Sequence, residues 1–460
     1  MSTGVPGILV TFHSSHEEDE LSLRTIGSRG VAASLALVLA AGVAGCGGGD
    51  EEPAEDAAGT PEASGEAPAK NFEVTIGNLL PLTGDLSAFG PSGRKAADLA
   101  VEQIEAAVKE TGADVTLTLE TADTETADQA SVQAARQLAS GGTGCIAGPW
   151  ASSEVKAVGT SVAARQQVPI ISPSSTSAEL TDLEDDGFVF RVAPSDKLQV
   201  VGLADTMEEE LGGTEGSISL AARNDAYGEG FINDFKAEWE QRGGTTTGPV
   251  LYDPQQAAYN SEAGQIVEGD PAAYVIIDFP ETYAKMGAAL SRTGGFDAAN
   301  LFVADGLASD EIPETIPTDA LQGARGTRPG TPEEGRVVEA FNKLFTSAPG
   351  PGRQTYDAQT FDATMLCFLA AAAAGSGEGP EIAEQLQAVS AAPGEKYTYT
   401  ELPEALAAIQ AGDDIDFDGV TGPIDFDENG DPSTATYEVW QYQDDGKLEV
   451  LRQFEAAAEE

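Results

Sequence analysis

Between Phe72 and Asp305 the sequence alternates short β-type runs with segments of helical period, and this rhythm limits the possible folds more than any other feature. FEVTIGNLL (72–80), VTLTLE (115–120), CIAGP (145–149) and VPIIS (168–172) are apolar or alternating runs of strand length. The stretches 93–111, 127–139 and 153–167 repeat apolar residues every three or four positions instead. Ala97, Val101, Ile104 and Val108 share one helix face, and Val155, Val158 and Val162 another. The rhythm resumes with SISLAAR (217–223), VLY (250–252), AYVIID (273–278) and LFVAD (301–305), separated by helical stretches at 229–242, 260–268 and 282–291. Strands joined by helices are βαβ units, which assemble into parallel sheets covered by helices on both faces. There are too many strands for one compact sheet, so an α/β chain with two doubly wound parallel-sheet lobes is expected. In such sheets a ligand collects beyond the C-terminal strand ends, where loops of both lobes face each other.

Charge and histidine usage narrow the function classes. Lys and Arg number 24 against 77 Asp and Glu, a formal net charge of -53 over 460 residues. A polyanion of this strength repels nucleic acid and anionic headgroups, so neither is expected as a partner. The two histidines, His13 and His16, both lie in a stretch expected to be absent from the mature protein. Without imidazole there is no Ser-His-Asp triad, no His-zinc chemistry and no histidine pH switch. Ser92-Gly-Arg-Lys95 and Ser153-Glu-Val-Lys156 match S-x-x-K but lack the companion elements of serine β-lactam enzymes. Two stretches open like calcium loops, at Asp414–Gly419 and Asp425–Gly430, but position 12 is Asp425 in the first and Thr436 in the second, where a bidentate Glu is required. Asp-Gly and Asn-Gly in such places are ordinary turn residues. The chain has no Gly-x-x-x-x-Gly-Lys phosphate loop, no dinucleotide fingerprint and no G-x-S-x-G elbow. We expect no catalysis, no cofactor and no metal.

The first seventy residues read as an address and a tether. Arg24 and Arg29 precede an uncharged apolar run from Val31 to Val43 that is short for a bilayer span. The run ends in Val43-Ala-Gly-Cys46, which resembles a bacterial lipobox, with cleavage before Cys46 and a lipid on its thiol. Residues 1–22 are polar and acidic, wrong for a signal n-region, and place the true start near Leu23. Residues 1–45 are thus expected to be a spurious extension plus signal peptide, and 46–71 the lipidated Cys and a disordered linker rich in Gly, Ala, Glu and Pro. The folded body would sit outside the cytoplasmic membrane, touching it through the anchor alone. With Cys46 blocked, Cys145 and Cys367 remain, and either a disulfide or two buried thiols fits an exported chain.

The loops carry the functional signal. Leu80-Pro-Leu-Thr-Gly84 with Phe89-Gly90, Gly148-Pro-Trp-Ala-Ser152-Ser153, Ile171-Ser172-Pro-Ser-Ser-Thr176, Arg191-Val-Ala-Pro-Ser-Asp196, Tyr227-Gly-Glu-Gly230, Asp305-Gly306 and Phe417-Asp-Gly-Val-Thr-Gly-Pro423 through Asp431 follow one another in a family order. Over about residues 72–455 the chain resembles solute-binding receptors of ABC importers, specifically the leucine/isoleucine/valine-binding proteins with the type 1 periplasmic-binding fold. The resemblance implies two lobes joined by three crossovers: lobe one at 72–195 and 328–437, lobe two at 196–327 and 438–455. It implies that Ser152 and Thr176 hold a ligand carboxylate, with Ser153 and Ser175 beside them. The Ser174 carbonyl and Asp305 would hold an ammonium in a pocket framed by Asp196. Phe89 and Tyr227 would wall the site, and Trp150 would stand where the side-chain recess begins. The implied function is capture of an aliphatic amino acid by a monomer that closes over it and is read by an ABC permease. A sensor that reports to a signalling receptor, or a receptor for amides or aromatic acids, remains open.

Overall fold

The computed structural model describes residues 9–13, 71–311 and 316–457; the apolar leader, Cys46 and linker residues 47–70 fall outside them, while 9–13, within the stretch expected to be a spurious extension, are described. The first described strand is β1 (Leu9–His13). Lobe one then contributes β2 (Phe72–Leu80), α1 (Gly90–Thr111), β3 (Val115–Asp123), α2 (Asp128–Ser140), β4 (Cys145–Ala147), α3 (Ser152–Val158), α4 (Ala164–Gln166), β5 (Ile170–Ser172) and β6 (Val189–Arg191). Lobe two takes α5 (Asp196–Leu211), β7 (Ser217–Arg223), α6 (Ala226–Gln241), β8 (Thr245–Tyr252), α7 (Asn260–Ile266), β9 (Ala273–Ile277), α8 (Pro280–Ser291), β10 (Leu301–Val303) and β11 (Arg325–Pro329). The chain returns to lobe one with α9 (Arg336–Ser347), α10 (Asp357–Ala374), α11 (Gly379–Val389), β12 (Glu395–Tyr397), α12 (Leu402–Ala411), β13 (Ile415–Gly419) and β14 (Gly422–Pro423). It ends in lobe two with β15 (Thr434–Tyr442) and β16 (Leu448–Ala457).

The lobe-one sheet has the order β3-β2-β4-β5-β6 and every pairing in it is parallel. Helices cover both faces, which is why the last five residues of β2 are buried without alternation. The lobe-two sheet departs from the expected all-parallel form. Its core β8-β7-β9-β10-β11 is parallel, but β15 joins β11 antiparallel, β16 joins β15 antiparallel and β1 joins β16 antiparallel. A hairpin around Asp444–Gly446 connects β15 to β16 and needs no helix, so the antiparallel extension follows from the short connection. The crossovers fall within 192–195, 330–335 and 424–433, so β11 ends and β15 begins a few residues inside the stretch assigned from sequence to lobe one.

The expected helix at 153–167 is interrupted. Between α3 and α4 the backbone widens into a π turn at Gly159–Ala163. Hydroxyls of Thr160 and Ser161 reach back to the carbonyls of Lys156 and Ala157, and a Cβ on Gly159 would lie 2.7 Å from the Val189 side chain. Side-chain back-bonding of this kind loosens a helix ladder locally.

Helix α10 is the axis of lobe one. Its sequence is apolar around nearly its full circumference, and it is correspondingly buried. No single described helix is long and apolar enough to cross a membrane. Cys367 of α10 is joined to Cys145 of β4, with Cα atoms 5.7 Å apart and 222 residues of separation. The same helix supplies Asp362, whose carboxylate accepts from the backbone N–H groups of Val420 and Thr421, both at 2.9 Å, and from the Thr421 hydroxyl at 2.8 Å. Burial pushes its carboxyl up to about 6. The Phe417–Pro423 motif is therefore seated on the core of lobe one.

Arg191, at the end of β6, ties the third crossover to the first. Its Nε and Nη2 donate to the two oxygens of Asp431 at 2.6 Å each, and Nη1 donates to the Ser177 carbonyl at 2.8 Å. The Arg191 backbone N–H donates to the Gly430 carbonyl at 3.0 Å.

Candidate functional site

Loops beyond the C-terminal ends of the parallel strands of both lobes converge on one small space. Lobe one brings Leu86 from the loop after β2, Trp150, Ala151 and Ser152 from the turn after β4, Ser174 from the loop after β5, and Tyr356 from the residue preceding α10. Lobe two brings Tyr227 at the start of α6, Phe279 after β9, and Asp305-Gly306 after β10. Local backbone chemistry sets several of these positions. Gly148 has φ +117°, and a Cβ there would lie 2.2 Å from the Leu79 carbonyl, so only glycine lets the turn carrying Trp150 pass this close to β2. Tyr356 itself adopts a left-handed backbone, φ 72°, a conformation that non-glycine residues hold only when their surroundings impose it.

Asp305 is the centre of the site. Its Oδ1 accepts from Gln199 Nε2 at 2.9 Å and from the Tyr227 hydroxyl at 3.1 Å, and its Oδ2 accepts from the Tyr356 hydroxyl. Burial pushes the Asp305 carboxyl up, against the pull of those hydrogen bonds. Behind it Asp196, the first residue of α5, is fully buried. The Thr176 hydroxyl is directed at its carboxylate and favours the charged form. Burial, followed by the neighbouring Asp305 charge, drives the Asp196 carboxyl well above the usual range. The Trp150 indole N–H is buried and unpartnered among the described residues.

The lobes are closed on each other. Arg223 at the end of β7 reaches Asp85 of lobe one at 3.2 Å, and the Ser177 hydroxyl of lobe one donates to the Ala226 carbonyl at 3.1 Å. The space left among the lining residues is about 10 Å³, close to the lower limit for a single water. That lining contains no Lys or Arg. Arg223 is engaged by Asp85, Asp225 and Asp278 and lies over the Phe279 ring at 3.7 Å, while Arg191 is engaged by Asp431. The lining itself presents acidic charge and neutral donors, with the Arg223 guanidinium behind Phe279.

Of the residues named from sequence, Trp150, Ser152, Ser174, Tyr227 and Asp305 line the space. Thr176 and Asp196 stand outside that lining, with the Thr176 hydroxyl directed at the Asp196 carboxylate. The Ser175 hydroxyl donates to the Trp150 carbonyl, Ser153 is a half-buried residue in the first turn of α3, and Phe89 is packed in a core cluster; none of these three lines the space. Phe89 precedes α1, and the apolar contacts of that turn draw its ring inward. Sequence reading missed Tyr356, Gln199 and Phe279. Phe279 carries a detectable signal, since it follows the apolar run of β9 as Asp305 follows β10. Tyr356 and Gln199 carry none, because one depends on an unusual backbone angle and the other on a helix face turned inward.

Two lobes of parallel sheet, three crossovers and a buried polar and aromatic space at the facing strand ends define a two-lobed binding protein. Residues 73–447 match the periplasmic binding protein family, and the chain belongs to it. Members of this family are extracytoplasmic receptors. The chemotactic signal transduction system substrate-binding protein BasB of Halobacterium salinarum is 25% identical over 386 residues, covering 81% of this chain and 88% of that protein. Leu/Ile/Val-binding protein homolog 1 of Brucella abortus is 21% identical over 384 residues, covering 83% of this chain and 94% of that protein. Among solved structures, the leucine-binding protein LivK of Thermotoga maritima superposes with a TM-score of 0.65 at 23% identity, over 82% of this chain and 97% of that one. The type 1 periplasmic-binding fold and the resemblance to the Leu/Ile/Val-binding group are both borne out.

Proposed function

We propose that the protein is an extracytoplasmic receptor that captures a small aliphatic amino acid between its lobes and, as a monomer, presents the closed form to an ABC permease. One observation carries this reading. The buried carboxylates of Asp305 and Asp196 stand close enough at the facing strand ends for the Asp305 charge to raise Asp196, and the Trp150 N–H of the same lining is buried without a partner among the described residues. Buried polar groups left unsatisfied cost free energy, and a ligand with matching donors and acceptors relieves that cost. The acidic pair Asp196 and Asp305 favours a positive group, while Ser152, Thr176 and the Trp150 N–H offer neutral donors to a carboxylate. Closure then follows from the ligand's greater affinity for the state in which both lobes touch it. No reaction is catalysed.

Calorimetric titration of an amino acid and its des-amino analogue tests the assignment. Thr176→Ala should weaken the amino acid roughly 5- to 150-fold, the range of one lost buried hydrogen bond. Asp305→Ala should weaken it at least as much and leave the des-amino analogue nearly unaffected. Equal losses for both ligands in Asp305→Ala would make Asp305 structural and remove the amino acid from the reading.

A second reading rests on the similarity to a protein named for chemotactic signalling. The clamp is the same and the reader of the closed state differs, a signalling receptor in place of a permease. Permease and ATPase genes beside this one would decide for import.

We also infer attachment through a lipid on Cys46. Full-length protein made in a bacterium should partition into detergent, and Cys46→Ser should lose both that partitioning and lipid labelling. Unchanged labelling of Cys46→Ser would refute the anchor.

A further inference from the structure

We propose that Trp150 and Tyr356 set the size limit of the ligand, restricting it to the shortest members of the aliphatic series; this rests on the receptor reading above. Both rings belong to lobe one, so the wall they form does not withdraw when lobe two swings away. Trp150 is held from several sides. Its carbonyl accepts from the hydroxyls of Ser174 and Ser175, each at 2.8 Å. Its indole lies on the backbone of α1, where a Cβ on Gly93 would come within 2.5 Å of the ring. Its solvent exposure is 1%, and it meets Tyr356 edge to face, with ring centroids 5.9 Å apart and planes at 81°. Tyr356 is fixed in turn. Its backbone is held within lobe one, since its carbonyl accepts from the Thr360 N–H at 2.9 Å and the Thr360 hydroxyl at 2.7 Å; its hydroxyl bonds Asp305 of lobe two only while the lobes are together.

The volume facing Asp305 on the lobe-one side is therefore filled by two closely packed aromatic rings. About 10 Å³ is open among the lining residues, so every ligand must hold lobe two further off than here, a longer one more than a shorter one. That displacement stretches the direct contacts between lobes, Asp85 to Arg223 at 3.2 Å and Ser177 to Ala226 at 3.1 Å. Each added methylene thus weakens closure, where in a roomy apolar recess it would strengthen binding by burying more surface. Trp150 is the larger obstacle, and its replacement opens the recess from the rigid side.

The test is a size series titrated by calorimetry against the whole chain: glycine, alanine, valine and leucine, with the corresponding des-amino acids in parallel. On the wild type, alanine should bind at least tenfold more tightly than leucine, the scale of discrimination by one or more misplaced methylenes. Trp150→Phe should narrow that ratio, and Trp150→Ala should reverse it by tenfold or more. Thermal melts establish which variants are folded; should Trp150→Ala not fold, Trp150→Phe and Tyr356→Ala must still shift the ranking toward leucine. The proposal is overturned if wild type binds leucine as tightly as alanine, or if the ranking is unmoved in the folded variants. Binding of only the des-amino series, with the same preference for short members, would retain the size limit and discard the amino acid. Binding of neither series to wild type would discard both.

Discussion

Breaking the bridge between Cys145 and Cys367 should lower the free energy of unfolding by about 5 kcal/mol, the chain-entropy value for a closed loop of this length. The two cysteines are 222 residues apart in sequence, and the loop they close contains β7 to β11 of lobe two. Both ends are in lobe one, on a central strand and on its axial helix, and both are fully buried. The bridge therefore acts mainly on the unfolded chain, which without it can separate β4 from α10. The double variant Cys145→Ala/Cys367→Ala tests this by urea unfolding, with an increased denaturant slope expected from a more expanded unfolded state. A loss below about 1 kcal/mol would contradict the entropic estimate. Two titratable thiols in denatured, unreduced mature protein would remove the bridge itself.

Arg191→Met is expected to be nearly as damaging, at about 3–5 kcal/mol, because it leaves a carboxylate uncompensated at a largely buried position. Arg191 makes a two-point pair with Asp431 and also satisfies the Ser177 carbonyl and the Thr181 hydroxyl. The side chains of the pair are 2% and 13% exposed, so water offers little substitute. Arg191→Lys should fail too, since a point charge cannot reproduce the planar fork. The double variant Arg191→Met/Asp431→Leu should recover much of the loss by removing the stranded carboxylate with its partner. Denaturant unfolding measures all three. A single Arg191→Met variant within about 0.5 kcal/mol of wild type would mean the pair contributes nothing to holding the crossovers.

The fold was legible where periodicity was strong. Each strand from β2 to β10 except the short β6 lies within or over an apolar run, and α1, α2, α6 and α8 begin within three residues of the expected positions. What escaped was structure set by partners distant in sequence. The antiparallel β15 and β16 extend a sheet whose other strands lie more than a hundred residues earlier, and nothing in their own alternation names that sheet. The π turn after α3 comes from two hydroxyls and a close approach by β6, all invisible to an apolar count. The site divides in the same way. Ser152, Ser174, Tyr227 and Asp305 were named through the family resemblance of their loops, and the structure brings them together because those loops lie at strand ends of the two sheets. Tyr356 was not, because it enters from the start of a helix that returns to lobe one after the whole of lobe two. The Phe417–Pro423 motif looked functional from its residues, yet its backbone serves to satisfy Asp362.

If Asp305 takes the ligand ammonium, as proposed above, the hydroxyl that Tyr356 places on it turns binding into an exchange reaction. The ammonium would then displace a phenol already bonded there, and Tyr356 would have to find another acceptor or water. A neutral donor of about the phenol's strength gains almost nothing from the swap, whereas a cation gains the difference between a charge-assisted bond and a neutral one. On that reading an alcohol or amide gains little at Asp305, and the affinity measured for any guest would be the margin by which it outcompetes a resident that never leaves the chain.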